Sequence, residues 1–283
     1  MKIRLSAFSD EAGSSLAEQI DALRANKIPM TELRSVGGKN VAELSIAEAK
    51  EIYASLSGEG ISLSAVGSPM GKVNISVDMN EYLDTVKHIC ELAKVFNTDK
   101  IRMFSFFEAH NERSKVIENL CRMVEVADSY GVGLYHENEK GIYGDTAQRV
   151  LDLHDNVKGL HFVYDPANFL QVGENSDKTL PLLVPITDYF HIKDVILEGG
   201  ELVPAGEGDG QIPRMVSMIE KDTFMTLEPH LKIFGGYDKI DGEVMKHKFH
   251  FESNREAFDY AVGALKGILI NNGYTEKDGG FVK

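Results

Sequence analysis

Cysteine is scarce in this chain. Only Cys90 and Cys121 occur, both within apolar stretches of helical pattern and neither in a C-x-x-C pair. Such usage points to buried thiols in a reducing compartment and away from a disulfide framework. Positive charge is also short: 30 Lys and Arg stand against 44 Asp and Glu, a net charge of −14. General binding to phosphate backbones is then unfavourable, because that affinity comes from cations displacing counterions. Attraction to an anionic membrane is disfavoured on the same ground. No apolar run approaches a membrane span, and Met1 to Leu5 gives way to polar Ser9-Asp10-Glu11 too soon for a signal peptide. A cytoplasmic protein with no nucleic-acid or membrane partner is the expectation.

What is present is 283 residues with 43% hydrophobic content, ample for a large core. Short β-like runs alternate with amphipathic helical stretches throughout. The expected strands are Lys2 to Ala7, Met30 to Arg34, Ile61 to Val66, Lys100 to Phe104, Gly131 to His136, Leu160 to Tyr164, Asp188 to Ile192 and Thr223 to Leu227. Between them apolar residues recur at helical spacing, as in Leu16, Ile20 and Leu23 or Val116, Leu120 and Met123. Ser45 with Glu48 and Ser253 with Glu256 have capping-box spacing, and Asp145 with Gln148 marks a further helix start. Eight strand–helix units without hairpin signals imply parallel strands joined by crossovers. A closed (β/α)8 TIM barrel fits count and length, whereas the G-x-G-x-x-G of a dinucleotide-binding open sheet is missing. No linker or composition break appears, so residues 1–283 read as one domain. The stretch 231–251 after strand eight departs from the repeat and reads as a lid or substrate loop.

The ends of the later strands carry the chemistry. Strand five ends in His136-Glu137-Asn138-Glu139, strand six in Tyr164-Asp165-Pro166-Ala167-Asn168, strand seven in His191-Ile192-Lys193-Asp194 and strand eight in Leu227-Glu228-Pro229-His230. Alone, Asp165 before proline is a common turn starter, His191 an ordinary core histidine and Glu228 a solvated strand end. Together they deliver three carboxylates and an imidazole to one rim of a barrel, where the carboxylates repel unless a cation lies between them. Mixed oxygen and nitrogen donors suit one divalent ion: Mn2+, Mg2+, Co2+ or Zn2+. His136 alternates away from that cup and reads as structural or as a support behind the ligands. The loop Gly206-Glu207-Gly208-Asp209-Gly210 has the glycines to cradle a phosphate, but its two acids argue against that, and it reads as a mobile loop.

These motifs resemble the xylose-isomerase-like TIM-barrel superfamily, and within it the sugar phosphate isomerase/epimerase proteins. The resemblance runs from the first strand to the last helix. It implies one divalent metal held by Glu137, Asp165, His191 and Glu228. It also implies Glu137 and Glu228 as the acid/base pair, which moves a proton next to a carbonyl through a metal-stabilised enediolate. The substrate expected is a small sugar, sugar phosphate or polyol. Lys193 and Arg102 are the nearest cations for its oxygens, with Asn168 and Lys72 as further contacts; Lys193 could equally pair with Asp194. A keto-polyol dehydratase on the same metal site is the alternative. An apurinic endonuclease fits less well. Those enzymes use three metals and carry D-x-x-H where Asp165 to Asn168 stands, and the histidines they place after strands three and four give way to Ser68, Met70 and Ser105. A barrel that only binds is a further reading. The sequence leaves a homo-oligomer undecided.

Overall fold

The computed structural model describes residues 1–233, 239–240, 243–277 and 279–283. Eight strands form the inner ring: β1 (Lys2–Ala7), β2 (Met30–Leu33), β3 (Ser62–Gly67), β4 (Lys100–Met103), β5 (Gly133–Glu137), β6 (Leu160–Tyr164), β7 (Tyr189–Ile192) and β8 (Thr223–Leu227). Helices α1 (Leu16–Ala25), α2 (Ile46–Gly58), α3 (Met79–Val95), α4 (Arg113–Tyr130), α5 (Ala147–Asn156), α6 (Ser176–Leu183), α7 (Ile212–Ser217) and α8 (Asn254–Asn271) follow them in turn. Parallel ladders connect β2–β3–β4–β5–β6–β7–β8–β1. This is the expected (β/α)8 barrel. Among the described helices none is long and apolar enough to cross a membrane.

Local chemistry explains the helix starts. Ser45 and Glu48 form the expected capping box, and Ser15 with Glu18 forms another. Ser253 caps α8, but its Glu256 carboxylate accepts from the Glu252 amide, so the box is only half made. Thr146, not Asp145, caps α5; Asp145 instead pairs with Arg149.

Short antiparallel hairpins depart from the all-crossover expectation, two of them beside β1 and β2. Ser35–Val36 and Lys39–Asn40 pair antiparallel around Gly37-Gly38, whose φ of 61° and 78° supply the left-handed backbone that a two-residue turn needs. Strands β9 (Thr275–Lys277) and β10 (Gly280–Val282) form the second, with β10 antiparallel to β1 through Lys2–Val282 and Ile3–Phe281. The hairpin takes the β1 edge that faces β2. Among the described residues no backbone ladder joins β1 to β2; Thr31 Oγ1 instead donates to Ala7 O at 3.0 Å.

The barrel interior is layered by the two-residue period of the strands. Met30, Ala65, Tyr135, Val163, Tyr189 and Phe224 form an apolar plug separate from the larger strand–helix core. Two positions further along their strands come Glu32, Glu137, Asp165, His191 and Thr226. Two more bring Arg34, Glu139, Lys193 and Glu228. The polar cup is therefore a continuation of the same faces that make the plug. Above it, Asp194–Val195, Glu201–Val203 and Lys246–His247 form a small sheet that ties the loop after β7 to the segment after β8. Of the expected lid, 234–238 and 241–242 lie outside the described residues.

Phe281 is buried against β1. Phe281→Ala is expected to lower stability by about 3–5 kcal/mol, measured by urea unfolding. An unchanged midpoint would show that the hairpin is not part of the cooperative fold.

Candidate metal centre

One ligand atom each from Glu137, Asp165, His191 and Glu228 lies within 4.8 Å of the others, and all four residues are buried. The four late-strand residues singled out from sequence thus converge. His191 is the hub: Nδ1 is 2.9 Å from Glu137 Oε1 and 3.1 Å from Glu228 Oε2. Its other nitrogen, Nε2, is 3.1 Å from Glu32 Oε2. Glu32 also accepts from Thr226 Oγ1 at 2.8 Å and from the Tyr189 hydroxyl at 3.1 Å. A ring nitrogen aimed into a carboxylate cluster, with its opposite nitrogen fixed by a further carboxylate, is the arrangement that orients a metal-binding imidazole.

Asp165 serves two ends. Its Oδ1 accepts from the Asn168 amide and so caps the short helix Pro166–Gln171, the turn-starting role that Asp-Pro suggests. Its Oδ2 points into the cup. Asp165 Oδ2 and Glu228 Oε2 are buried and make no hydrogen bond; the Lys193 ammonium lies 3.0 Å from the first and 4.0 Å from the second. Two buried carboxylate oxygens outside any hydrogen bond, one of them ion-paired with Lys193, lie beside an imidazole nitrogen, a donor set that fits a divalent cation.

The charge balance points the same way. Among the described residues, Asp10, Glu11, Glu32, Glu137, Glu139, Asp165 and Glu228 bring buried carboxylates to this end of the barrel, against buried Arg34, Arg102 and Lys193. Burial pushes the Asp165 carboxyl up to about 7, with Lys193 opposing and Glu137 and Glu228 reinforcing. Burial likewise raises Glu11 to about 8, against the pull of Arg34. For Glu228 burial is outweighed by Lys193 and the His191 and His230 contacts, and its carboxyl is held well below the usual range. Burial works against a charged His191, yet Glu137 and Glu32 raise its pKa well above the ordinary value.

The expected substrate contacts are placed as follows. Lys193 lies inside the cup and pairs with Asp165, not with Asp194. Arg102 is buried, with Nη1 3.5 Å from Glu137 Oε2 and its Nε without a hydrogen bond. Asn168 donates to Asn138 O at 2.9 Å and Glu137 Oε1 at 3.3 Å, leaving its own buried Oδ1 unpartnered. Lys72 sits at the rim, 2.7 Å from Glu139 Oε2 and over the Phe104 ring. His136 faces away from the cup and bonds Ser105, and burial depresses its pKa to about 3. Asp194 accepts from the amides of Gly206, Gly208 and Gly210, so the glycine-rich loop is folded around this one carboxylate. A Cβ at Gly208 would meet Asp194 Oδ1, hence glycine there.

Residues that the late-strand motifs do not reveal complete the site: Glu32 and Arg34 from the second strand–loop unit, and Asp10 and Glu11 after β1; His230, in the strand-eight motif but given no role there, joins them. The signal for Glu32 and Arg34 was present, since both share the inward phase of Met30. Glu32→Gln is expected to weaken Mn2+ binding about 10–100-fold, read by calorimetric titration. Unchanged affinity would remove Glu32 from any role in orienting His191.

No curated protein sequence matches the chain. Solved structures do match in fold. A probable 3-DHS dehydratase, AsbF from Bacillus anthracis, shares 16% identity over 94% of this chain and 99% of its own, with a TM-score of 0.71. D-psicose 3-epimerase from Clostridium cellulolyticum H10, solved with D-tagatose, shares 15% over 94% and 98%, TM-score 0.67. A barrel protein from Mycobacterium smegmatis, solved with magnesium, shares 13% over 94% and 97%, TM-score 0.66. At these identities the likeness is one of fold. The family model described as xylose isomerase-like TIM barrel matches residues 21–239, well over half of the sequence. The chain belongs to the xylose isomerase-like TIM-barrel family.

Proposed function

We propose that this chain is a divalent-metal-dependent isomerase or epimerase of a small sugar or polyol, moving a proton at the carbon next to a carbonyl. The observation that carries the reading is the pair Glu137 and Glu228, which approach His191 Nδ1 from β5 and β8 at 2.9 and 3.1 Å. Glu137, Asp165, His191 and Glu228 would hold the ion. When bound, a cation there supplies positive charge that makes the carbon beside a carbonyl more acidic.

One glutamate takes the proton and the other returns one; return on the opposite face inverts the carbon. Lys193 and Arg102 are the cations placed to contact substrate oxygens. Asn168 Oδ1 can accept from a hydroxyl, and Lys72 reaches in from the rim. The epimerase and the magnesium-bound barrel among the similar structures support this reading. The dehydratase supports a second one, in which the same first proton transfer is followed by loss of a neighbouring hydroxyl.

Incubating the Mn2+-loaded protein with a panel of ketoses in deuterated water separates the two. Deuterium at the carbon beside the carbonyl, without loss of water, is the expected result; a dehydrated enol-type product would establish the second reading instead. Glu228→Gln is expected to slow the exchange by about 10²–10⁴-fold with an unchanged circular dichroism spectrum. Full turnover in that variant would exclude Glu228 from proton transfer.

A further inference from the structure

A second group of metal-ligating side chains adjoins the first. Glu11, Glu228 and His230 are buried, and one ligand atom from each lies within 4.8 Å of the others. A guanidinium lies among them. Arg34 Nη1 is 3.0 Å from Glu228 Oε1 and 3.4 Å from His230 Nε2, and Nη2 is 3.4 Å from Glu11 Oε1. Asp10 grips the same guanidinium with two bonds of 3.0 Å, and the Phe8 ring lies 4.4 Å from its carbon. The two groups share Glu228: Oε1 faces Arg34, while Oε2 faces His191 Nδ1 at 3.1 Å. A carboxylate that bridges two cations in this way is the pattern of two-metal centres, whose ions stand about 3.5–4 Å apart.

We propose that Arg34 is the fixed second cation of this centre, a positioning residue that fills the place of a second divalent ion and restricts the centre to one. The proposal rests on the reading of Glu137, Asp165, His191 and Glu228 as a metal site. An arginine suits the task because its charge is permanent and its fork holds Glu228 by one oxygen, leaving the other for the ion. Glu11 adds a second service: its Oε2 accepts from the His230 amide at 2.7 Å, where His230 has a left-handed φ of 48°. Without Arg34, Asp10, Glu11 and Glu228 would be buried carboxylates deprived of their cation. With His230 they form an oxygen-rich donor set of the kind that takes Mn2+.

The test counts ions per folded chain. Wild type, Arg34→Lys, Arg34→Ala and Arg34→Gln are saturated with manganese chloride and desalted. Metal is then measured by mass spectrometry and folding by circular dichroism. One ion is expected for wild type and Arg34→Lys, two for Arg34→Ala and Arg34→Gln, and one again when His230→Gln is added to Arg34→Ala. A single ion in the folded Ala and Gln variants overturns the proposal, as do two ions in wild type. Failure of both neutral variants to fold at any manganese concentration also counts against it, since a second ion would restore the missing charge. A wild type that binds no ion refutes the metal reading itself.

Discussion

Everything at the open end of this barrel depends on balancing buried negative charge. Buried carboxylates packed this closely are tolerated only when cations and hydrogen-bond donors meet them, and stripping one partner from a buried pair costs about 3–5 kcal/mol. The fold meets the demand on two sides. Arg34, gripped by Asp10, lies beyond Glu228, towards the start of the chain. Arg102 and Lys193 cover Glu137 and Asp165. Glu137, Asp165 and Glu228 still bring one ligand atom each within 4.8 Å of one another and of His191.

The apolar plug beneath the cup makes this arrangement affordable. Tyr189 and Phe224 stack at 4.2 Å, and Tyr135 lies against Tyr189 at 5.6 Å, so the floor of the site is aromatic. The same Tyr189 turns its hydroxyl upward to Glu32. Floor and cup are therefore joined through one side chain. The position of His191 follows from packing below as well as from charge above. Phe8, edge-on to the His191 ring at 5.1 Å, extends that packing to the Arg34 side.

Much of this was legible from sequence, for a definite reason. A strand's period of two carries an inward phase from apolar floor to polar rim, so Glu137, His191 and Glu228 announce themselves two to four residues after an aromatic or small inward neighbour. Glu32 and Arg34 obey the same rule, but their strand is only four residues long, which leaves little alternation to read. Asp10 and Glu11 look like solvated loop residues until the fold brings Arg34 onto them. The hairpins were hidden for opposite reasons. Ser35–Val36 and Lys39–Asn40 are two residues each, too short to show alternation. Thr275–Lys277 is exposed throughout and carries no apolar pattern at all.

The glycine-rich loop after β7 has a consequence for what the cup can accept. Its amides at 206, 208 and 210 have already spent their donors on Asp194, an anion belonging to the protein itself. An incoming phosphoryl group finds no vacant backbone cradle there. A side chain that took over that task would do so at the expense of freezing its own motion.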